Sequence, residues 1–321
     1  MSLPAIRQAA TAFAGAEIHV MARPAVAPVY QYERSITRVI PLPAGRGLSD
    51  FGSKLRIAGE LRKEQYEAAI LLPNSFESAL IPKLAGIKRI IGYNRDGRGF
   101  LLSEAIHVPK SEHTQPHERY YYLELLRRAT VIPDVPDVPV ILFDQLPAAR
   151  DRGTKLFESL GIALPVIGIA PGAAYGTAKR WLPENFAEAA KDLAADGYSI
   201  VIFGSDSEKE DCDLVAKLSG GRNLAGQTKL RDFLDLTAAA SLFLTNDSGA
   251  MHAAYASGIP TVTVFGPTKE LHTGPVGPKA RILRHNVECA PCMLRKCPIE
   301  DHPCMSLVPA AKVVQIAKTL L

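Results

Sequence analysis

Leu242-Phe-Leu-Thr-Asn-Asp-Ser-Gly-Ala-Met-His252 is an apolar run that ends in Thr-Asn-Asp and passes straight into a helix start. Ser248 and Gly249 open a helix over 250–257, and a second apolar run, 260–265, closes in Gly266-Pro267. Strand, tight turn, helix and strand make a βαβ unit with parallel strands. In such sheets ligands bind beyond the carboxyl ends of the strands, where helix N-termini present unpaired N–H groups. Asp247, Ser248, Gly249 and His252 stand at that place. Asp247 or Ser248 would serve equally as a plain helix cap. His252 favours a ligand, because it lies one turn into the helix on the face that looks back at the cap.

The same alternation extends in both directions. The pattern predicts strands at 17–22, 36–41, 68–73, 89–93, 105–108 and 138–143, and helices at 4–13, 54–65, 76–85, 117–129 and 148–160. It then starts afresh, with strands at 166–170, 199–204, 223–225 and 281–284 and helices at 183–195, 208–218, 230–239 and 309–321. The fold class is therefore α/β, with two Rossmann-like, doubly wound domains and a ligand in the cleft between them. A length of 321 residues suits two cores. The division is set at 1–150 and 151–321, after a stiff connector with Pro133, Pro136 and Pro139.

Composition narrows the function classes. Hydrophobic residues make up 47% and charged residues 22%, which is ordinary for a globular protein. The formal net charge of +4 belongs to the first half, where 19 Lys and Arg face 15 Asp and Glu; the second half is balanced. An even second half, without an aromatic and basic platform, argues against nucleic acid. The modest excess suits an anionic small substrate or an anionic membrane surface. A long uncharged stretch, Ser159–Ala178, is broken by Pro165, Pro171 and several Gly, so no spanning helix is expected. Met1-Ser2-Leu3-Pro4 lacks the basic region of a signal peptide, which points to the cytoplasm.

Four further segments carry chemistry. Ala170-Pro-Gly-Ala-Ala-Tyr-Gly-Thr-Ala-Lys-Arg-Trp181 follows a strand, and its small residues let backbone N–H groups approach an anion. Thr177 offers a hydroxyl, and Lys179 and Arg180 supply charge, so a pyrophosphate suits the loop; a flexible surface turn is the plainer alternative. The spacings of a Walker loop and of G-x-G-x-x-G are absent, which weighs against a dinucleotide oxidoreductase. At another strand end, in Phe203-Gly-Ser-Asp-Ser-Glu208, Asp206 or Glu208 would bind a nucleoside or cap a helix. Lys83, Lys88, Arg89, Arg95 and Arg98 share a span whose only acid is Asp96, and Arg95 and Arg98 sit in a glycine-rich loop open to carboxylates and phosphates, or to solvent alone. Finally, Cys289, Cys292, Cys297 and Cys304 follow a C-x2-C-x4-C-x6-C pattern in a proline-rich segment. Such spacing is compatible with a tetrahedral metal, but only one C-x2-C pair is present and packed, reduced thiols are the expectation.

Taken together, these residues resemble the heptosyltransferase family of lipopolysaccharide core synthesis. The resemblance is carried by Leu72-Pro-Asn-Ser-Phe-Glu-Ser-Ala-Leu80, Gly92-Tyr93 with Arg95, Pro171-Gly172 with Ala178-Lys-Arg-Trp181, Phe203-Gly-Ser205, Asn223-Leu-Ala-Gly226 and Thr245-Asn-Asp-Ser-Gly-Ala-Met-His252. They span nearly the whole chain in family order, and the last is the most specific. The resemblance implies a metal-independent, inverting glycosyltransferase of the GT-B type, without a cofactor. The second domain would bind an ADP-heptose donor and the first a lipid A–Kdo–heptose acceptor, at the cytoplasmic surface of the inner membrane. The final helix, 309–321, would cross back onto the first domain.

The resemblance further implies that Lys179 neutralises the donor diphosphate, with Thr177 beside it. Asp247, Ser248, Gly249 and His252 would hold the sugar-phosphate end and Glu208 the nucleoside. Arg95 and Arg98 would meet the acceptor's anionic groups. Members of the family usually begin with an apolar strand and a Gly-Asp pair whose Asp is the expected general base. Met1-Ser2-Leu3-Pro4 matches the helix start that follows them, so strand and base are expected upstream of Met1. The missing strand would sit between those at 17–22 and 68–73. The alternative is a chain that binds nucleotide sugar without turnover.

Overall fold

A computed structural model describes residues 1–42, 51–110, 112 and 114–321 of the protein. The chain divides into two compact units, Met1–Val138 and Pro139–Leu321. The first contains α1 (Leu3–Ala12), β1 (His19–Ala22), β2 (Arg38–Pro41), α2 (Phe51–Lys63), β3 (Ala68–Leu71), α3 (Phe76–Leu84), β4 (Arg89–Tyr93), β5 (Glu104–Ile106) and α4 (Glu118–Arg128). The second begins with α5 (Leu146–Ser159), β6 (Val166–Ala170), α6 (Pro183–Ala195), β7 (Ser199–Ile202), α7 (Lys209–Ser219), β8 (Arg222–Asn223) and α8 (Leu230–Ala239). It continues with β9 (Leu242–Asn246), α9 (Gly249–Ala256), β10 (Thr261–Phe265), α10 (Glu270–Thr273), β11 (Ala280–Arg284), α11 (Pro303–Ser306) and α12 (Ala310–Lys318).

The second unit is one parallel sheet in the order β11-β10-β9-β6-β7-β8. This is a doubly wound order, as expected of alternating strands and helices. Its central strands β6, β9 and β10 are buried at every residue. Burial on both faces explains why they read as continuous β-branched and aromatic runs rather than as alternations. One face packs Phe157, Phe203, Phe243 and Leu236, where Gly168 leaves room for the Phe243 ring against β6. The other packs Trp181, Phe186, Leu193, Val215 and Met305.

Two boundaries differ from the sequence expectation. Residues 138–143 form no strand. Pro139 has no N–H to give to a ladder, and Phe143 instead donates its N–H to the carbonyl of Ala256 at 2.9 Å. The unit boundary therefore falls ahead of residue 150, and α5 belongs to the second unit. There it packs on α8 so closely that a Cβ at Gly153 would strike the Asp235 backbone, with Arg152 paired to the Asp235 carboxylate at 2.8 Å. The last helix, α12, packs against elements of the second unit. Ala310, Val313, Val314 and Ala317 recur at helical spacing, and this apolar stripe is buried in the core with α6 and β10 of the second unit. The stripe faces the core of its own unit, as an amphipathic helix requires.

In the first unit the strands are parallel but fall into two sheets, β1-β2 and β3-β4-β5. Strands β1 and β3 each pair on one side only among the described residues.

Candidate functional site

In the second sheet the chain winds in opposite directions from β6 and β9, so the loops leaving their carboxyl ends diverge and open a crevice at the switch point. Pro171-Gly172 leaves β6, and Asp247-Ser248-Gly249 leaves β9. Asn246, fully buried at the end of β9, ties the two together. Its Nδ2 donates to the Pro171 carbonyl at 2.6 Å, and its Oδ1 accepts the Trp181 N–H at 3.0 Å. The loop 171–181 is thus held at both ends by one side chain. Trp181 anchors the far end, with its ring packed edge-on against Phe186 at 4.8 Å and its Nε1 donating to the Val308 carbonyl at 2.9 Å.

This arrangement brings Lys179 onto Asp247. The ammonium sits 2.5 Å from Asp247 Oδ2, which also accepts the Thr268 hydroxyl at 2.7 Å. Asp247 is 5% exposed. Its carboxylate holds Lys179 and Thr268. Ser248 stands in extended conformation at the N-cap of α9 with no side-chain bond to the helix, and its hydroxyl lies 3.2 Å from that of Thr245. Gly249 is exposed. The first N–H groups of this eight-residue helix have no partner within the helix, and its N-terminus follows directly on the aspartate that holds Lys179, which is an arrangement suited to an anion. Thr177 is exposed on the short 3-10 turn that carries Lys179. His252 is half-buried, one turn into α9, with Nδ1 3.1 Å from the Tyr255 hydroxyl.

Glu208 lies across the same crevice mouth. It closes a capping box with Ser205, accepting its N–H at 2.9 Å and its hydroxyl at 2.7 Å. Its carboxylate also rests directly on Gly172, where a Cβ would collide with it. The residue is a cap, as one of the two readings of the sequence has it, and also a wall of the loop. Arg180, by contrast, turns away and pairs with Asp211 at 2.8 Å.

The two arginines assigned to an acceptor part company. Arg95 is exposed beyond the carboxyl end of β4. Arg98 is 0% exposed. It donates to the carbonyls of Pro73 at 2.5 Å, Ser75 at 3.1 Å and Tyr93 at 3.1 Å, and to the Ser78 hydroxyl at 2.7 Å. Its expected role in ligand contact is corrected, because its donors are spent on the end of β4, the loop after β3 and the first turn of α3. Burial lowers its pKa from the ordinary arginine value. Arg98→Ala strands these buried acceptors, and the urea midpoint of the first unit should fall by the equivalent of about 1–3 kcal/mol. An unchanged midpoint would show that water replaces the guanidinium.

All five cysteines are free. Cys289, Cys292, Cys297 and Cys304 line one small cavity with His302 and Leu294, yet among the described residues no three His, Cys, Asp or Glu side chains are grouped as metal ligands. Burial, and then the neighbouring cysteines, pushes the Cys304 thiol up to about 11; burial pushes Cys212 up to about 12. Both are protonated packing groups at neutral pH. Asn246, Thr268 and Tyr175, whose ring lies under the Lys179 ammonium at 4.5 Å, are site residues that the sequence motifs do not single out.

Comparison with known proteins bears on this geometry. The sequence model of glycosyltransferase family 9 (heptosyltransferase) matches residues 54–302. Lipopolysaccharide heptosyltransferase 2 of Salmonella typhimurium is 36% identical over 279 residues, covering 83% of this chain and 79% of that protein. Lipooligosaccharide heptosyltransferase 2 of Haemophilus influenzae is 33% identical over 295 residues, covering 88% and 84%. The solved structure of Escherichia coli ADP-heptose lps heptosyltransferase II superposes with a TM-score of 0.83 at 28% identity, covering 99% of this chain and 93% of that one.

Proposed function

Because the chain belongs to glycosyltransferase family 9, the heptosyltransferases, we propose that it transfers L-glycero-D-manno-heptose from ADP-heptose to the inner core of a lipopolysaccharide acceptor. The observation that carries the reading is the meeting of Lys179, Asp247 and the N-terminus of α9 at the sheet's switch point. A diphosphate bound there meets an ammonium, a helix N-terminus and a loop already held in shape. The acceptor hydroxyl attacks the anomeric carbon and loses its proton to a base. The bond from that carbon to the diphosphate oxygen breaks, and ADP departs with the electron pair. Stabilising the charge that grows on the diphosphate is the contribution of Lys179 and the α9 N–H groups. Asp247 and Thr268 keep the ammonium in place, and Glu208 bounds the nucleoside side. Thr177, Ser248, Gly249 and His252 complete the donor contacts.

The acceptor falls to the first unit, with Arg95 as its exposed cation. A lipid-borne acceptor places the reaction at the cytoplasmic surface of the inner membrane, with the enzyme in peripheral contact. Among the described residues no helix is long and apolar enough to cross a membrane.

The test is direct. Incubated with ADP-heptose and a heptose-bearing core acceptor, the chain should release one ADP for each heptose added, read by a coupled ADP assay and by the mass of the acceptor. The rate should persist in excess EDTA. Release of ADP without glycosylated product, or no release, would sink the proposal.

A further inference from the structure

The loop that carries Lys179 is braced by the cysteine-rich segment. The Ala178 N–H donates to the Arg295 carbonyl at 3.1 Å, the Tyr175 hydroxyl donates to the Met293 carbonyl at 2.9 Å, and His302 Nε2 lies 2.8 Å from the Ala178 carbonyl. Gly176 presses on the Arg295 backbone, where a Cβ would collide with the carbonyl oxygen. These contacts bring the Arg295 side chain to the donor loop. Its guanidinium lies 5.0 Å from the centre of the Tyr175 ring, the same ring that the Lys179 ammonium approaches at 4.5 Å.

Three cations therefore gather at this loop, and their partners differ. Lys179 is neutralised by Asp247 and Arg180 by Asp211. Arg295 is exposed and, among the described residues, meets the Tyr175 ring but no carboxylate. A sugar-linked diphosphate is a dianion, and a lysine already paired with a carboxylate cannot balance it alone. Two cations against one aromatic ring repel each other until an anion joins them. A guanidinium fork also fits phosphate oxygens in a bidentate way that an ammonium does not.

We propose that Arg295 is a second diphosphate-binding residue, acting beside Lys179 at the donor site. The inference rests on the ADP-sugar reading of that site. It also explains what the cysteine-rich segment does there, which is to deliver one arginine to the donor loop.

Calorimetric titration with ADP, AMP and adenosine separates this role from a structural one. Arg295→Ala removes the guanidinium but keeps the carbonyl that braces Ala178. It should raise the Kd for ADP about tenfold, raise that for AMP less, and leave adenosine within about twofold. Arg295→Lys should fall between. Unchanged ADP affinity in Arg295→Ala, or an equal loss for adenosine, would overturn the proposal. If the unaltered chain binds no ADP, the donor reading fails and this inference with it.

Discussion

Lys179→Ala is expected to lower kcat/KM for heptose transfer by about a hundredfold to a thousandfold, the usual loss when one well-placed stabiliser of a departing anion is removed. The lysine sits where the crevice opens, and its carboxylate partner is a buried aspartate that also accepts the Thr268 hydroxyl. The substitution would also strand the Asp247 charge, which the Thr268 hydroxyl relieves only in part. A stability loss is therefore expected alongside the kinetic one. The double variant Lys179→Ala/Asp247→Asn separates the two. It should recover the melting temperature while transfer remains as slow as in the single variant. If transfer recovered with stability, the ammonium would be a folding element and not a ligand of the diphosphate. Steady-state rates at saturating acceptor, together with thermal melts followed by circular dichroism, decide the matter.

Trp181→Ala should destabilise the second unit by about 3–5 kcal/mol, the range for deleting a large aromatic side chain from a packed core. Trp181 is 0% exposed, packs on Phe186 and shares its cluster with residues of α6, β10 and α12. Its indole N–H is also the close partner of the Val308 carbonyl, with Asn185 Nδ2 farther off at 3.5 Å. Trp181→Phe keeps most of the volume and loses that hydrogen bond, so a smaller loss of about 1–3 kcal/mol is expected. Urea unfolding must be followed by circular dichroism, because Trp181 is the only tryptophan. Equal losses in the two variants would show that the hydrogen bond, not the packed ring, carries the anchoring.

Much of the second unit is legible in the sequence because its signals are local. An apolar run, a turn of Thr-Asn-Asp-Ser-Gly and a small-residue helix fix β9, α9 and β10 within a residue or two of the observed bounds. The pairing of strands is not local. That β9 lies beside β6, and so brings Asp247 to Lys179 across 68 positions, follows from crossovers that no short motif encodes. The two loop arginines show the same limit at short range. Arg95 and Arg98 are three residues apart with similar neighbours, yet one faces water and the other is enclosed. The cue lies in glycines: Gly97 has φ +71° and Gly99 crowds the Asn94 side chain, so the loop folds back and aims Arg98 inward. Strand 138–143 fails for a chemical reason that is visible in the sequence, the proline at its second position. Thr268 and Arg295 carry no signal of their own, since a threonine after Gly-Pro and an arginine among cysteines acquire meaning only from what the fold sets opposite them.

The ties on loop 171–181 bear on how affinity is reached. Asn246 fixes its two ends, and the Arg295 carbonyl and His302 fix Ala178 between them. Ordering a free backbone residue costs about 1–2 kcal/mol in entropy. A slack loop of this length would have to lose that freedom at the moment a nucleotide arrived. Here much of it is already lost on folding, so the ligand's contacts can appear more fully as binding free energy. The same ties restrict the loop, which would make the proposed donor site selective for a phosphate geometry it already fits rather than adaptable to many.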